Sequence, residues 1–241
     1  MSTHRHVYAD PAGAAAACAR QIASLLEPAL HSNGQATLVI SGGDTPGLML
    51  DQLARVSLEW KRIHLFWVDE RAVPPGHPDS NFSLADRHLI TPLRLSKYNV
   101  HRIRAELGPH EAVRAYEEEI RDFFGLDRDE LPHFDVLQCG AGAGGHTASL
   151  FPGEPLIDDR SGLCAAVFVE SLNQWRITLL PGVLLAANNL LVLATGAAKA
   201  AALRDVLNGP YDPKACPAQL LSHHGRRSSW FLDAASAALL D

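Results

Sequence analysis

The stretch Ala36-Thr37-Leu38-Val39-Ile40, followed directly by Ser41-Gly42-Gly43-Asp44-Thr45-Pro46 and then by Leu50, Leu53 and Val56 at helical spacing, restricts the fold more than any other part of the sequence. A run without polar alternation reads as a strand buried on both faces, the glycines as a tight turn, and the recurrence as a helix packed back onto the sheet. The pattern returns along the chain. Ile63 to Val68 is a second strand, ending on Asp69-Glu70-Arg71, and Phe134 to Cys139 another, ending on a glycine-rich turn from Gly140 to Gly145. Cys164 to Val169, Trp175 to Leu180, Leu190 to Thr195 and Ser229 to Leu232 are further strand candidates. Helices are expected over Pro11 to Leu30, Gly47 to Val56, Ser83 to Ile90, Glu111 to Phe124, Ala197 to Leu207 and Ala234 to Leu240.

Continuously apolar strands separated by helices require a sheet covered on both faces, so the expected class is α/β, a doubly wound, mostly parallel sheet with helices on both faces. With 241 residues, 47% of them hydrophobic, the chain has material for one large core, and no repeat, linker or composition break divides it; a single domain over 1–241 is expected. Ligands of such sheets bind beyond the carboxyl ends of the strands, where the polar motifs fall.

Charge narrows the ligand. A formal net charge of −6 and the lack of a long basic run exclude a nucleic-acid partner. An anion must be held by a few local cations and backbone donors, which points to a small phosphorylated molecule. Cys18, Cys139, Cys164 and Cys216 are widely spaced and form no CxxC pair, as expected of a chain in a reducing cytoplasm. The N-terminus lacks the pattern of a signal peptide, and no apolar stretch approaches the ~20 residues of a membrane span, so no membrane partner is expected.

The loop from Ser41 through Gly42, Gly43, Asp44 and Thr45 has glycines where a backbone can approach an oxyanion, and it leads into a helix with free N–H groups. It could also be only a turn, with Asp44 or Thr45 as the helix cap. Arg176 and Lys199 each fall where a cation could meet a phosphate, although either could be a solvated surface charge. His146 stands where the glycine turn meets an apolar continuation, GHTASLFPG over 145–153, and could serve as a general base or be satisfied in the core. Asp69 and Arg71, with Asp79-Ser80-Asn81 after a proline-rich turn, form either a second reactive cluster or a local salt-bridge group whose later members cap a helix.

Together, SGGDTP at 41–46, WVDERAVPPGHPDSNF at 67–82, GHTASLFPG at 145–153, RITL at 176–179 and Gly196 with Lys199 resemble the 6-phosphogluconolactonase family, in its order and over most of the chain. The resemblance implies a Rossmann-like fold shared with glucosamine-6-phosphate deaminases. It further implies hydrolysis of 6-phospho-D-glucono-1,5-lactone to 6-phosphogluconate in the oxidative pentose phosphate pathway, without a metal or organic cofactor. By position, His146 matches the general base, Ser41 to Thr45 the sugar-phosphate loop, Arg176 and Lys199 the phosphate contacts, and Asp69 and Arg71 a second catalytic cluster. A monomer is the default.

One departure stands out: the family motif carries aspartate two residues before the histidine, where this chain has Gly144. Asp69 could substitute, the substrate could be reactive enough to tolerate the loss, or catalysis could be weakened. Two rivals follow. One is a sugar-phosphate-binding protein with lost chemistry; the other is a deaminase-like isomerase, against which stands the absence of a glutamate in the segment Ser149-Leu150-Phe151-Pro152-Gly153, where FNEPG would be expected.

Overall fold

A computed structural model describes residues 3–225 and 228–240. In chain order the elements are β1 (Thr3–Tyr8), α1 (Pro11–Asn33), β2 (Ala36–Ile40), α2 (Asp44–Leu53), β3 (Ile63–Trp67), β4 (Asp69–Arg71) and α3 (Asn81–Ala85). A π turn (Asp86–Ile90) leads from α3 into α4 (Thr91–Leu93), followed by β5 (Val100–His101), α5 (Pro109–Phe124) and β6 (Val136–Cys139). Then come β7 (Cys164–Val169), β8 (Gln174–Leu179), α6 (Pro181–Ala186), β9 (Leu190–Ala194), α7 (Ala200–Asn208), α8 (Gln219–His224) and β10 (Ser228–Asp233), with short 3₁₀ turns between.

The main sheet has the order β1-β10-β9-β6-β2-β3-β5, and every pair in it is parallel. Its central strands β2, β6 and β9 are buried at every position, which accounts for their unbroken apolar character. From β2 the chain builds outward through β3 and β5; from β6 it builds the other way through β9 and β10. The reversal opens a crevice above the carboxyl ends of β2 and β6, where the Ser41 loop and the Gly140 turn begin.

β3 leaves the main sheet through Val68. The Val68 N–H donates to Ile40 O of β2 at 2.9 Å, while its carbonyl accepts from Leu179 N at 2.8 Å. Val68 therefore joins the main sheet to a smaller antiparallel one of order β4-β8-β7. The two-residue β5 pairs only with Leu65 and Phe66, so it stops short of Trp67. The hydroxyl of Tyr116 takes its place: it accepts from Trp67 N and donates to Trp67 O, each at 2.9 Å.

Cys164 to Val169 and Trp175 to Leu180 are strands as expected, but they are antiparallel and lie outside the main sheet. Their connection is a tight turn with Asn173 at φ 47°, too short for the crossover that parallel strands require. Ala234 to Leu240 does not form the expected helix. Asp233 Oδ1 accepts from Ser236 N and Ser236 Oγ donates to Ala194 O, side-chain bonds that hold the segment in turns. β1, rich in His and Arg and largely exposed at the sheet edge, gave no apolar signature in the sequence.

Candidate active site

Each motif reaches the crevice from a strand end. β2 delivers Ser41 and Gly42; β3, through Val68, delivers Asp69 and Arg71; β6 delivers the glycine turn and His146; β8 carries Arg176; and the loop after β9 carries Lys199. One cleft is lined by all of these together with Asn81, Gly140, Ala141, Gly142 and Ala148. Of the residues expected at the site, Gly43, Asp44 and Thr45 do not line it.

Local bonding explains that division. Ser41 is buried, and both its N–H and its hydroxyl donate to Gln138 Oε1, at 3.1 and 3.0 Å. Its hydroxyl can therefore only accept from a ligand. Thr45 Oγ1 is 2.7 Å from Thr195 Oγ1, which ties the loop to the end of β9. Asp44 is exposed in the first turn of α2, where its charge complements the helix dipole; a carboxylate is in any case repelled by a phosphate. No side chain caps α2, so neither Asp44 nor Thr45 has the capping role, and the first N–H groups of the helix remain open.

Glu70 explains the spacing of the second cluster. Buried beneath it, this carboxylate accepts from the N–H groups of Arg71, Asn81 and Phe82 and from Ser80 Oγ, at 2.7 to 3.0 Å. Burial pushes its pKa up against the pull of those donors. Ser80 caps α3 by accepting from Ser83 N. Glu70 is thus the fastener that sets β4 against the start of α3, and it leaves Asp69 and Arg71 facing the cleft. Asp69 Oδ2 accepts from Ser149 Oγ at 2.7 Å, and Oδ1 accepts from Asn81 Nδ2 at 3.2 Å.

Arg71 and Arg176 stand opposite each other on β4 and β8. Like charges directly opposite on an antiparallel pair are destabilising. Among the described residues neither forms an ion pair, and the Nε of each is buried without a hydrogen-bond partner; Arg71 is steadied by a bond from its Nη1 to Asp79 O. Burial first, and then the charge of Arg71, lower the pKa of Arg176. The pKa of Lys199 is likewise lowered, chiefly by burial, with Asp233 and Asp44 opposing. Three cations are thereby concentrated in one cleft of a chain of net charge −6.

His146 is half-buried and lies flat between two surfaces. Its ring stacks on Phe151 with centroids 4.4 Å apart and planes at 25°. On Gly142 a Cβ would stand only 1.9 Å from His146 Cε1, so the glycine leaves the space the ring occupies. Neither ring nitrogen has a hydrogen-bond partner among the described residues. Burial is the main cause of a lowered pKa, with Arg176 and Lys199 adding to it and Asp69 opposing. The imidazole is therefore neutral at pH 7 and able to accept a proton. The Gly142 and Gly145 N–H groups are closed within the turn, on His146 O and Gly142 O, at 2.9 and 3.0 Å.

Residues 9–230 match the family described as glucosamine-6-phosphate isomerases/6-phosphogluconolactonase. The chain belongs to that family. It is 33% identical over 213 residues to the 6-phosphogluconolactonase of Synechocystis, covering 88% of each chain, and 37% identical over 180 residues to that of Homo sapiens, covering 74% of this chain and 69% of the other. The structure of 6-phosphogluconolactonase from Trypanosoma brucei superposes with a TM-score of 0.89 at 26% identity, covering 100% of this chain and 99% of that one.

Within this glucosamine-6-phosphate isomerase/6-phosphogluconolactonase member, the position of Gly144 is informative. It is exposed, faces a second cleft bounded by α7 and Cys216, and a Cβ placed on it would meet nothing within 4 Å. The contacts that hold the His146 ring, Phe151 and Gly142, are independent of it. The sequence does not single out Phe151, Ser149 and Gln138 as parts of the site, because an apolar ring, a hydroxyl and a neutral amide carry no chemical signature until the fold brings them to the charged groups, whereas the motif that holds Asn81 already places it beside Asp69 and Arg71.

Proposed function

We propose that the chain hydrolyses 6-phospho-D-glucono-1,5-lactone to 6-phosphogluconate, with His146 as the general base. The observation that carries this reading is the sharing of one cleft by His146, its pKa lowered and its ring nitrogens without a hydrogen-bond partner among the described residues, and three cations that form no ion pair among them, in a member of this family. The phosphate sits against the Ser41–Gly42 turn, with Arg176 and Lys199 as countercharges.

This docking presents the lactone carbonyl to His146. The imidazole takes a proton from water as the water oxygen bonds to the carbonyl carbon, and the charge of Asp69 stabilises the resulting imidazolium. Arg71, which brings its charge into the same cleft, is the donor for the tetrahedral oxyanion, while the Gly142 and Gly145 N–H groups are occupied within the turn. Collapse breaks the bond to the ring oxygen, which takes the proton back from His146. The position equivalent to the family aspartate is not needed, since stacking holds the ring in place of a hydrogen bond.

Acid release from freshly generated 6-phosphogluconolactone, corrected for spontaneous opening, tests the reaction, with ammonia release from glucosamine 6-phosphate as the control. Acid without ammonia is expected, at similar rates for the unmodified chain and Gly144→Asp. Ammonia release would instead make the chain a deaminase. Binding of 6-phosphogluconate without turnover of the lactone would make it a binding protein.

A further inference from the structure

Asn81 touches both ends of the cleft. It opens α3, is only 3% exposed, and lines the cleft together with Gly42 and Asp69. Its Nδ2 donates to the main-chain O of Asp69 at 2.8 Å and to Asp69 Oδ1 at 3.2 Å. Both partners are acceptors, so the orientation of the amide follows: nitrogen toward Asp69, oxygen away from it. The oxygen points at the phosphate loop. It has no hydrogen-bond partner among the described residues, and a Cβ on Gly42 would stand 1.7 Å from Asn81 Oδ1 and 2.4 Å from its Cγ.

Gly42 is not among the glycines with positive φ, so its backbone conformation is open to any L residue. What demands glycine at position 42 is the amide of Asn81. Ser149, which holds the other carboxylate oxygen of Asp69, has no such second contact on the loop.

We propose that Asn81 is a positioning residue that sets the distance between the phosphate loop and Asp69, so that docking the phosphate fixes the carbonyl relative to Asp69 and His146. The inference rests on the lactonase reading above. It makes Gly42 and Asn81 an energetically coupled pair, although one belongs to the binding end of the cleft and the other to the carboxylate.

The test is a double-mutant cycle of Gly42→Ala, Asn81→Ala and the double variant, with Ser149→Ala beside them and a thermal melt for each. Gly42→Ala and Asn81→Ala should each lower kcat/KM by about tenfold or more, while the double variant stays within about threefold of Asn81→Ala, because the clash has gone. Asn81→Ala should raise KM as well as lower kcat, whereas Ser149→Ala should lower kcat with KM held within about twofold. A double variant that loses the product of the two single effects overturns the proposal, as does an Asn81→Ala that melts lower but keeps both constants. If Asn81→Ala does not fold, Asn81→Ser carries the same cycle. If the unmodified chain does not turn over the lactone, the lactonase reading fails, and the same cycle read in the Kd of 6-phosphogluconate still decides whether the two positions are coupled.

Discussion

In the proposed reaction His146 is the base, and its surroundings set its proton affinity. Burial, aided by Arg176 and Lys199, lowers its pKa below the ordinary value of about 6.5, so the neutral base is present at pH 7 and persists as the pH falls toward that lowered value. An NMR titration of the free protein should find the His146 ring titrating below about 6.5, and bound 6-phosphogluconate should raise it by countering the two cations. A ring that titrates above the ordinary value in the free protein would contradict this balance of effects. Gly142→Ala tests how the ring is held. The added methyl would displace the imidazole from its place on Phe151, and since a displacement near 1 Å can cost about a hundredfold, kcat should fall by about that much with little change in Tm. Retention of full kcat would show that stacking does not orient the base.

At the level of elements, the site depends on β3 passing from one sheet to the other, because that passage brings Asp69 and Arg71 over the crevice. Tyr116 secures it by satisfying both main-chain groups of Trp67. Tyr116→Phe leaves two buried backbone groups unpaired and should cost about 2 kcal/mol, read as a Tm roughly 4–8 °C lower. An unchanged Tm would mean that water replaces the hydroxyl. The strand, glycine-turn and helix unit at 36–56 and the strand with its glycine turn at 134–145 were legible in the sequence because burial on both faces imposes an apolar run that few other structures share. The small sheet was legible as strands but not as a sheet, since antiparallel pairing is set by Asn173 and the short turn it closes rather than by apolar pattern. β1 was hidden by its polar edge position, and the turns after β10 by alanines that suit a helix until Asp233 and Ser236 take up the backbone donors. At the site, charged residues were legible by type and motif. Asp44 was the exception, included with its loop although its own charge disfavours a phosphate.

Across the whole molecule, the sheet reversal between β2 and β6 makes a crevice, and the fold inverts its charge relative to the rest of the chain. Arg71, Arg176 and Lys199 line the crevice with no ion pair among the described residues, in a protein of net charge −6. The apolar side chains that support it form one continuous core from α1 to β10, so the crevice stands on a single packed body. Among the described residues no helix is long and apolar enough to cross a membrane, and no group of three or more His, Cys, Asp or Glu side chains is placed to hold a metal ion. The catalytic burden in this account falls on His146. The most direct test is the rate of acid release from 6-phosphogluconolactone, corrected for spontaneous hydrolysis, for the unmodified chain and His146→Ala side by side. The account predicts clear acceleration by the unmodified chain and a loss of about a hundredfold or more in the variant. An unmodified chain no faster than spontaneous opening, or a variant that keeps the full rate, would contradict it.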